Sequence, residues 1–318
     1  MRQLVGPTDP AAFDNPTGEP IFQSLMELPL DCYTSVFDFG CGCGRLARQL
    51  LQQRNRPRRY VGIDVHRGMI DWCNRNLSPL DPNFHFFHHD VYAPHAPENS
   101  LRLAEPFPAG DEEFSLVIAW SVFTHLLREQ AEYYLFEVAR ILKPGGVAFT
   151  SWFFFDNESF PFLTHGPFCL FTSDANPTEA VIYDRQWFID TIRRFGLAVR
   201  ATVLPGLAGH QWCVFIERRN PPSVDQFPLG EQGAEWLCGA TKKPIGKPLV
   251  PPDEVRKHQV APCGRSESTT LGPSERPPVP KLQGWLAELA AIKQSPAWRI
   301  ARLMIKPFRL IRKSILPR

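Results

Sequence analysis

The chain has 318 residues, 43% of them hydrophobic and 21% charged, which suits a globular protein with one full α/β domain and extra segments. Its formal net charge of +2 points to no particular partner. No stretch approaches an uninterrupted membrane span, and Met1–Pro10 lacks the apolar core of a signal peptide, so neither an integral membrane protein nor a classically secreted one is expected.

Residues 1–29 read as a lead-in. From residue 30 to residue 220, strand and helix patterns alternate. Strands are predicted at Val36–Phe39, Tyr60–Ile63, Phe84–His88, Phe114–Ala119, Val147–Phe153, Leu197–Val203 and Trp212–Ile216. Helices are predicted at Arg45–Gln53, Gly68–Leu77, Arg128–Leu142 and Asp184–Phe195. Alternation of this kind implies a mainly parallel sheet covered by helices. Lys143-Pro144-Gly145-Gly146 reads as a helix stop and turn. Residues 155–183 break the alternation with aromatics, prolines and turn formers, and form a candidate lid over a ligand site.

Residues 221–283 change character. Twelve of the 32 prolines fall between Pro221 and Pro280, so this segment reads as a disordered tether. Residues 284–318 read as a helical tail, broken at Pro307. From Trp298 onward, Arg299, Arg302, Lys306 and Arg309 share one side of a helical wheel, and Ile300, Leu303, Met304 and Leu310 the other. Lys281–Arg318 carries nine Lys/Arg and the single acid Glu288, which leaves the remainder of the chain acidic by about six charges.

The most informative stretch is Val36-Phe37-Asp38-Phe39-Gly40-Cys41-Gly42-Cys43-Gly44-Arg45. A strand ends on an acid and runs into three glycines at alternate positions, which lets a ligand lie against bare backbone. The spacing is not the G-x-G-x-x-G of a dinucleotide fold, and the preceding acid disfavours a pyrophosphate. Asp64 ends the next strand, where it can accept from both ribose hydroxyls, and Asp90 ends the one after, where it can accept from an adenine amine. The eight cysteines form no CxxC pair and read as reduced thiols; Cys41 and Cys43 read as small fillers. No His/Asp/Glu cluster has metal spacing, so no metal is expected.

In these motifs the sequence resembles the class I S-adenosylmethionine-dependent methyltransferases. Phe37–Gly44 resembles their cofactor loop, Gly62–Asp64 their ribose acid, Asp90-Val91 their adenine site, Phe114–Ala119 their fourth strand and Leu142–Gly146 their Leu-Lys-Pro-Gly-Gly turn. The resemblance covers roughly residues 30–218, with the elements in order. It implies a Rossmann-like, doubly wound α/β fold, with a mainly parallel seven-stranded sheet and a final antiparallel strand. It also implies S-adenosyl-L-methionine as cofactor, held by Asp38, Gly40, Cys41, Gly42, Gly44, Asp64, Val65, Asp90, Val91 and Trp120.

Methyl transfer from a sulfonium needs an aligned nucleophile and a base. His125, after the fourth strand, is the candidate base, with a backbone-capping role as the competing reading; His165 and His210 are further candidates. Signatures of amino-group and cytosine-C5 enzymes are missing, which leaves a hydroxyl acceptor as the simple choice. Ser295-Pro296-Ala297-Trp298-Arg299 with Pro307-Phe308-Arg309 resembles a tail of bacterial surface-polysaccharide enzymes. That resemblance implies a sugar hydroxyl in a surface glycan, or in its lipid-linked precursor, as acceptor. It also suits a cytoplasmic protein held peripherally at the inner face of the membrane through residues 284–318, by anionic lipid or by glycan-assembly proteins. A small-molecule or RNA methyltransferase and a non-catalytic, cofactor-binding scaffold are the alternatives. Nucleic acid is disfavoured by the acidic remainder and by the apolar half of the tail.

Overall fold

The structure is a computed structural model that describes residues 28–54, 56–94, 96, 98–155, 169–171, 176–203, 211–218 and 277–294. The strands are β1 (Ser35–Phe39), β2 (Arg59–Asp64), β3 (Phe84–His88), β4 (Phe114–Ala119), β5 (Leu142–Phe155), β6 (Cys169–Phe171), β7 (Val181–Asp184), β8 (Leu197–Val203) and β9 (Trp212–Arg218). The helices are α1 (Arg45–Leu51), α2 (Arg67–Asn76), α3 (Arg128–Ile141), α4 (Arg185–Arg194) and α5 (Leu282–Gln294).

The main sheet runs β3-β2-β1-β4-β5-β9-β8. Its first five strands are parallel, and β9 inserts antiparallel between β5 and β8. This is the expected Rossmann-like sheet with its final antiparallel strand. All five residues of β1 are buried because both faces of the sheet are covered. Phe37 and Phe39 face a core shared with α3 and α4. Val36 faces a second core shared with α1 and α2. Tyr134, Val138, Phe188 and Ile192 close the first layer; Leu46, Leu50, Ile70 and Cys73 close the second.

Three features differ from the sequence reading. Lys143–Gly146 is not a turn before the strand but a bulge inside β5. The register with β4 jumps from Phe114↔Leu142 to Leu116↔Val147, and the four residues between are looped out. Gly145 takes the left-handed φ of +74° that the loop needs. Within the predicted 155–183 insertion, β6 and β7 form an added antiparallel pair, with β7 parallel to the outer end of β5. Residues 156–168 and 172–175 of the candidate lid, including His165, lie outside the described residues, as does His210.

The third difference is α5, which belongs to the folded domain and not to a separate basic tail. Its Trp285, Leu289 and Ile292 are buried in the core that contains α3 and β7. Its apolar i, i+4, i+7 spacing faces that core, which explains why it docks. Residues 221–276 of the predicted tether and the basic segment from Trp298 onward lie outside the described residues. No helix among the described residues is long and apolar enough to cross a membrane.

Candidate functional site

The site forms where the C-terminal ends of β1, β2, β3 and β4 meet, with β1 between β2 and β4. That is where an open α/β sheet leaves a crevice for a ligand. Gly40, Gly42 and Gly44 have φ of +81°, +55° and +74°, all in the left-handed region. A Cβ on Gly40 would lie 2.5 Å from Val122 Cγ2, so the loop presses against the segment that follows β4. The amides of Gly40 and Cys41 both donate to the Ile63 carbonyl, at 2.8 and 3.0 Å, tying the loop to the end of β2.

Asp64 completes the attachment. One carboxylate oxygen accepts from the Gly42 amide and the other from the His66 amide, each at 2.8 Å. A carboxylate has about four acceptor positions, so both oxygens keep a lone pair for further donors such as a pair of ribose hydroxyls. Asp64 is half-buried at the mouth of the loop.

Asp38 is placed differently. It is buried, and it accepts from the Tyr60 hydroxyl at 2.6 Å. Burial pushes its carboxyl up to about 7, with Asp64 adding to the rise and the Tyr60 hydrogen bond opposing it. Its carboxyl is therefore engaged inside the layer between sheet and helices, beneath the loop. The thiols of Cys41, Cys43 and Cys73 surround the loop, and burial raises all three. Cys41 Sγ sits 2.9 Å from the place a Cβ on Gly62 would take, so these thiols fill space as protonated groups.

At the end of β3, Asp90 accepts from the Ser100 amide at 3.1 Å, and its carboxylate lies 3.9 Å from the Arg102 guanidinium. Asn99 donates to the carbonyls of Val65 (2.8 Å) and Val91 (3.0 Å), so one buried amide joins the two candidate cofactor segments. His88 Nε2 lies 3.1 Å from both the Val65 carbonyl and Asn99 Oδ1; both are acceptors, so this nitrogen carries the proton. Buried His89 bridges Tyr134 (2.7 Å) and Glu105 (3.2 Å), and Glu105 in turn accepts from the Asp90 amide. The His89 hydrogen bond holds the Glu105 carboxyl below its usual range.

The segment after β4 makes the fourth wall. The Arg45 guanidinium lies 5.3 Å from the Trp120 ring centroid, bringing the start of α1 to the end of β4. Ser121 has a φ of +56°, a strained value for a non-glycine residue. Its amide donates to Ser151 Oγ (2.7 Å), and its hydroxyl lies 2.8 Å from the Gln211 amide nitrogen, which holds the strained turn. His125 is exposed on the short turn Phe123–His125, with Nδ1 2.8 Å from the Thr178 carbonyl. Nδ1 must be the donor there, which in a neutral ring places the lone pair on Nε2.

The structure thus brings together Gly40, Cys41, Gly42, Gly44 and Asp64, links Val65 to Val91, and sets Trp120 beside the start of α1. The pinning roles of Asn99, Ser121, Ser151 and Gln211 carry no sequence signal. Among the described residues no group of three or more His, Cys, Asp or Glu could hold a metal ion.

Residues 36–146 match a family model described as a methyltransferase domain. Over 113 residues the chain is 27% identical to a tRNA N(3)-cytidine methyltransferase (METTL2) of Gallus gallus, a stretch covering 35% of this chain and 28% of that protein. Two solved S-adenosylmethionine-dependent methyltransferases are similar in fold. The Mesorhizobium loti enzyme has 14% identity and a TM-score of 0.45, over 64% of this chain and 100% of the other. The Methanosarcina mazei enzyme has 15% identity and a TM-score of 0.42, over 63% and 97%. The match of residues 36–146 to a methyltransferase domain makes S-adenosylmethionine the methyl donor implied for this site. The residues fit that donor: three left-handed glycines, with no room for a Cβ at Gly40 or Gly44, closed by a carboxylate with acceptor capacity to spare.

Proposed function

We propose that this chain is an S-adenosylmethionine-dependent methyltransferase acting on a hydroxyl. One observation carries the reading: the three left-handed glycines at the end of β1, fastened through the Gly42 amide to Asp64 at the end of β2. When bound, the donor supplies an electrophilic methyl group on a positively charged sulfur. Asp64 would hold its ribose and the Asp90–Val91 turn its adenine, beside the glycine loop Gly40–Gly44. His125 takes the acceptor's hydroxyl proton on Nε2, the nitrogen left basic by the Nδ1 bond to Thr178.

The acceptor we propose is a sugar hydroxyl of a surface glycan or its lipid-linked precursor, with residues 295–318 holding the protein at an anionic membrane. The basic and apolar sides of that segment support this, as does the resemblance of Ser295–Arg299 to tails of polysaccharide enzymes. An RNA acceptor is the second reading, favoured by the identity shared with the tRNA methyltransferase. The test is methyl transfer from labelled S-adenosylmethionine to lipid-linked glycan and, in parallel, to bulk tRNA. Label in the glycan supports the proposal. Label in tRNA alone overturns the acceptor, and cofactor binding with no transfer to either favours a scaffold.

A further inference from the structure

Helix α5 returns to the domain after residues 219–276, and its contacts converge on the first turn of α3 and the loop before it. That turn receives no side-chain cap from the residue before it. The residue preceding α3 is Leu127, whose aliphatic side chain can accept no hydrogen bond, so the first amides of the helix need acceptors from elsewhere. The Leu127 amide donates to Gln130 Oε1 at 3.2 Å. The Arg128 amide donates to Glu288 Oε1 at 3.1 Å, from a residue of α5 160 positions later.

Gln130 joins three segments. Its Oε1 also accepts from the Trp285 indole N–H at 3.2 Å, and its Nε2 donates to the Leu103 carbonyl at 2.9 Å. Trp285 also meets the Tyr92 ring edge-on, with centroids 6.0 Å apart. The Glu288 side chain is 11% exposed; one oxygen also receives the Cys169 thiol at 3.5 Å, and the other is buried without a hydrogen bond. Burying a carboxylate this way is costly, so its capping of α3 is a specific arrangement and not surface decoration.

The segment so held is the one that follows β4. His125 is fixed to the Thr178 carbonyl, and the Leu126 carbonyl accepts from the Tyr183 hydroxyl at 2.6 Å. Leu127 and Arg128 are fixed by Gln130, Trp285 and Glu288. We infer that Trp285 and Glu288 are positioning residues for the methyl-acceptor loop Trp120–Leu127, with α5, distant in the same chain, supplying the acceptor that Leu127 cannot. The loop's role in methyl transfer rests on the proposed function; the clamp itself rests on these contacts. The cofactor loop Gly40–Gly44 shares none of these hydrogen bonds, so the clamp acts on the acceptor side and spares donor binding.

The test uses the full chain with Glu288→Ala, Glu288→Gln and Trp285→Phe. Amide hydrogen exchange is followed in peptides spanning residues 120–131 and 35–46, together with calorimetric binding of S-adenosylhomocysteine. In Glu288→Ala, exchange at residues 124–131 should rise about tenfold, the effect of losing one helix cap. Exchange at residues 35–46 should not change, and S-adenosylhomocysteine affinity should stay within about twofold. Glu288→Gln keeps the side chain's shape and an acceptor oxygen and should restore slow exchange. Unchanged exchange at residues 124–131, a uniform rise in every protected segment, or failure of Gln to restore protection overturns the inference. If Glu288→Ala does not fold, Trp285→Phe decides: it keeps an aromatic ring in the core but loses the pyrrole half of the indole with its N–H, and no local rise in exchange again overturns it. A wild-type chain that does not bind S-adenosylhomocysteine defeats the methyltransferase reading instead, and the exchange result stands apart from that outcome.

Discussion

Replacing Asp38 with Asn should reverse the order of stability of the two proteins between acid and alkaline pH. An unfolded Asp loses its proton near 3.8, whereas burial holds the native carboxyl at about 7. Between those values the unfolded chain binds fewer protons than the native one, so native stability falls as pH rises through the window and levels off above it. Three pH units at about 1.4 kcal/mol each set an upper limit of about 4 kcal/mol for the total fall. Asn keeps an oxygen for the Tyr60 hydroxyl but brings an N–H pair into a buried place, at a cost of about 1–3 kcal/mol. The variant should therefore be the weaker protein at about pH 4.5 and equal or stronger at about pH 8. Urea unfolding at both pH values, with circular dichroism as the readout, measures the crossing. A stability difference that is the same at both pH values would refute the claim that Asp38 is a buried carboxyl engaged with Tyr60.

Gly40→Ala should destabilise the chain by about 2 kcal/mol, from the left-handed backbone and the contact with Val122. Val122→Ala in that background should recover part of the loss in a thermal melt, and no recovery argues against the contact. His125→Ala should lower turnover by about 10²–10⁴-fold with an unchanged melting temperature; full activity removes it as the base. The thiols of Cys41, Cys43 and Cys73, raised by burial, should react with Ellman's reagent only as fast as the protein opens. Rapid labelling of the native chain at any of them contradicts their placement.

Much of the fold is legible in the sequence because the central strands are buried on both faces and so appear as continuous apolar runs between glycine-rich breaks. The candidate cofactor residues are legible for the same reason: Gly40, Gly42, Gly44 and Asp64 lie within a few residues of strand ends. The direction of Asp38 is harder to read. On a strand covered on both sides, an acid between Phe37 and Phe39 points into the opposite layer, and only the structure places Tyr60 there. Asn99, Ser121 and Gln211 act through contacts with distant backbone, which no local pattern encodes. Helix α5 was hidden by its neighbours: joined in sequence to a basic segment, Leu282–Gln294 reads as the start of a tail. Its pairing with Gln130 and Arg128 spans about half the chain. The short strands β6 and β7 lie among turn formers, where three or four residues leave no periodicity to count.

The most direct test of the account is calorimetric titration of the full chain with S-adenosylhomocysteine, beside the Asp64→Ala variant. Asp64 fastens the Gly42 amide and retains acceptor capacity for a ribose. The account predicts one-to-one binding by the wild type and an affinity at least about tenfold weaker in the variant, the loss expected for one or two charge-assisted hydrogen bonds. No binding by the wild type, or equal binding by both proteins, would contradict it.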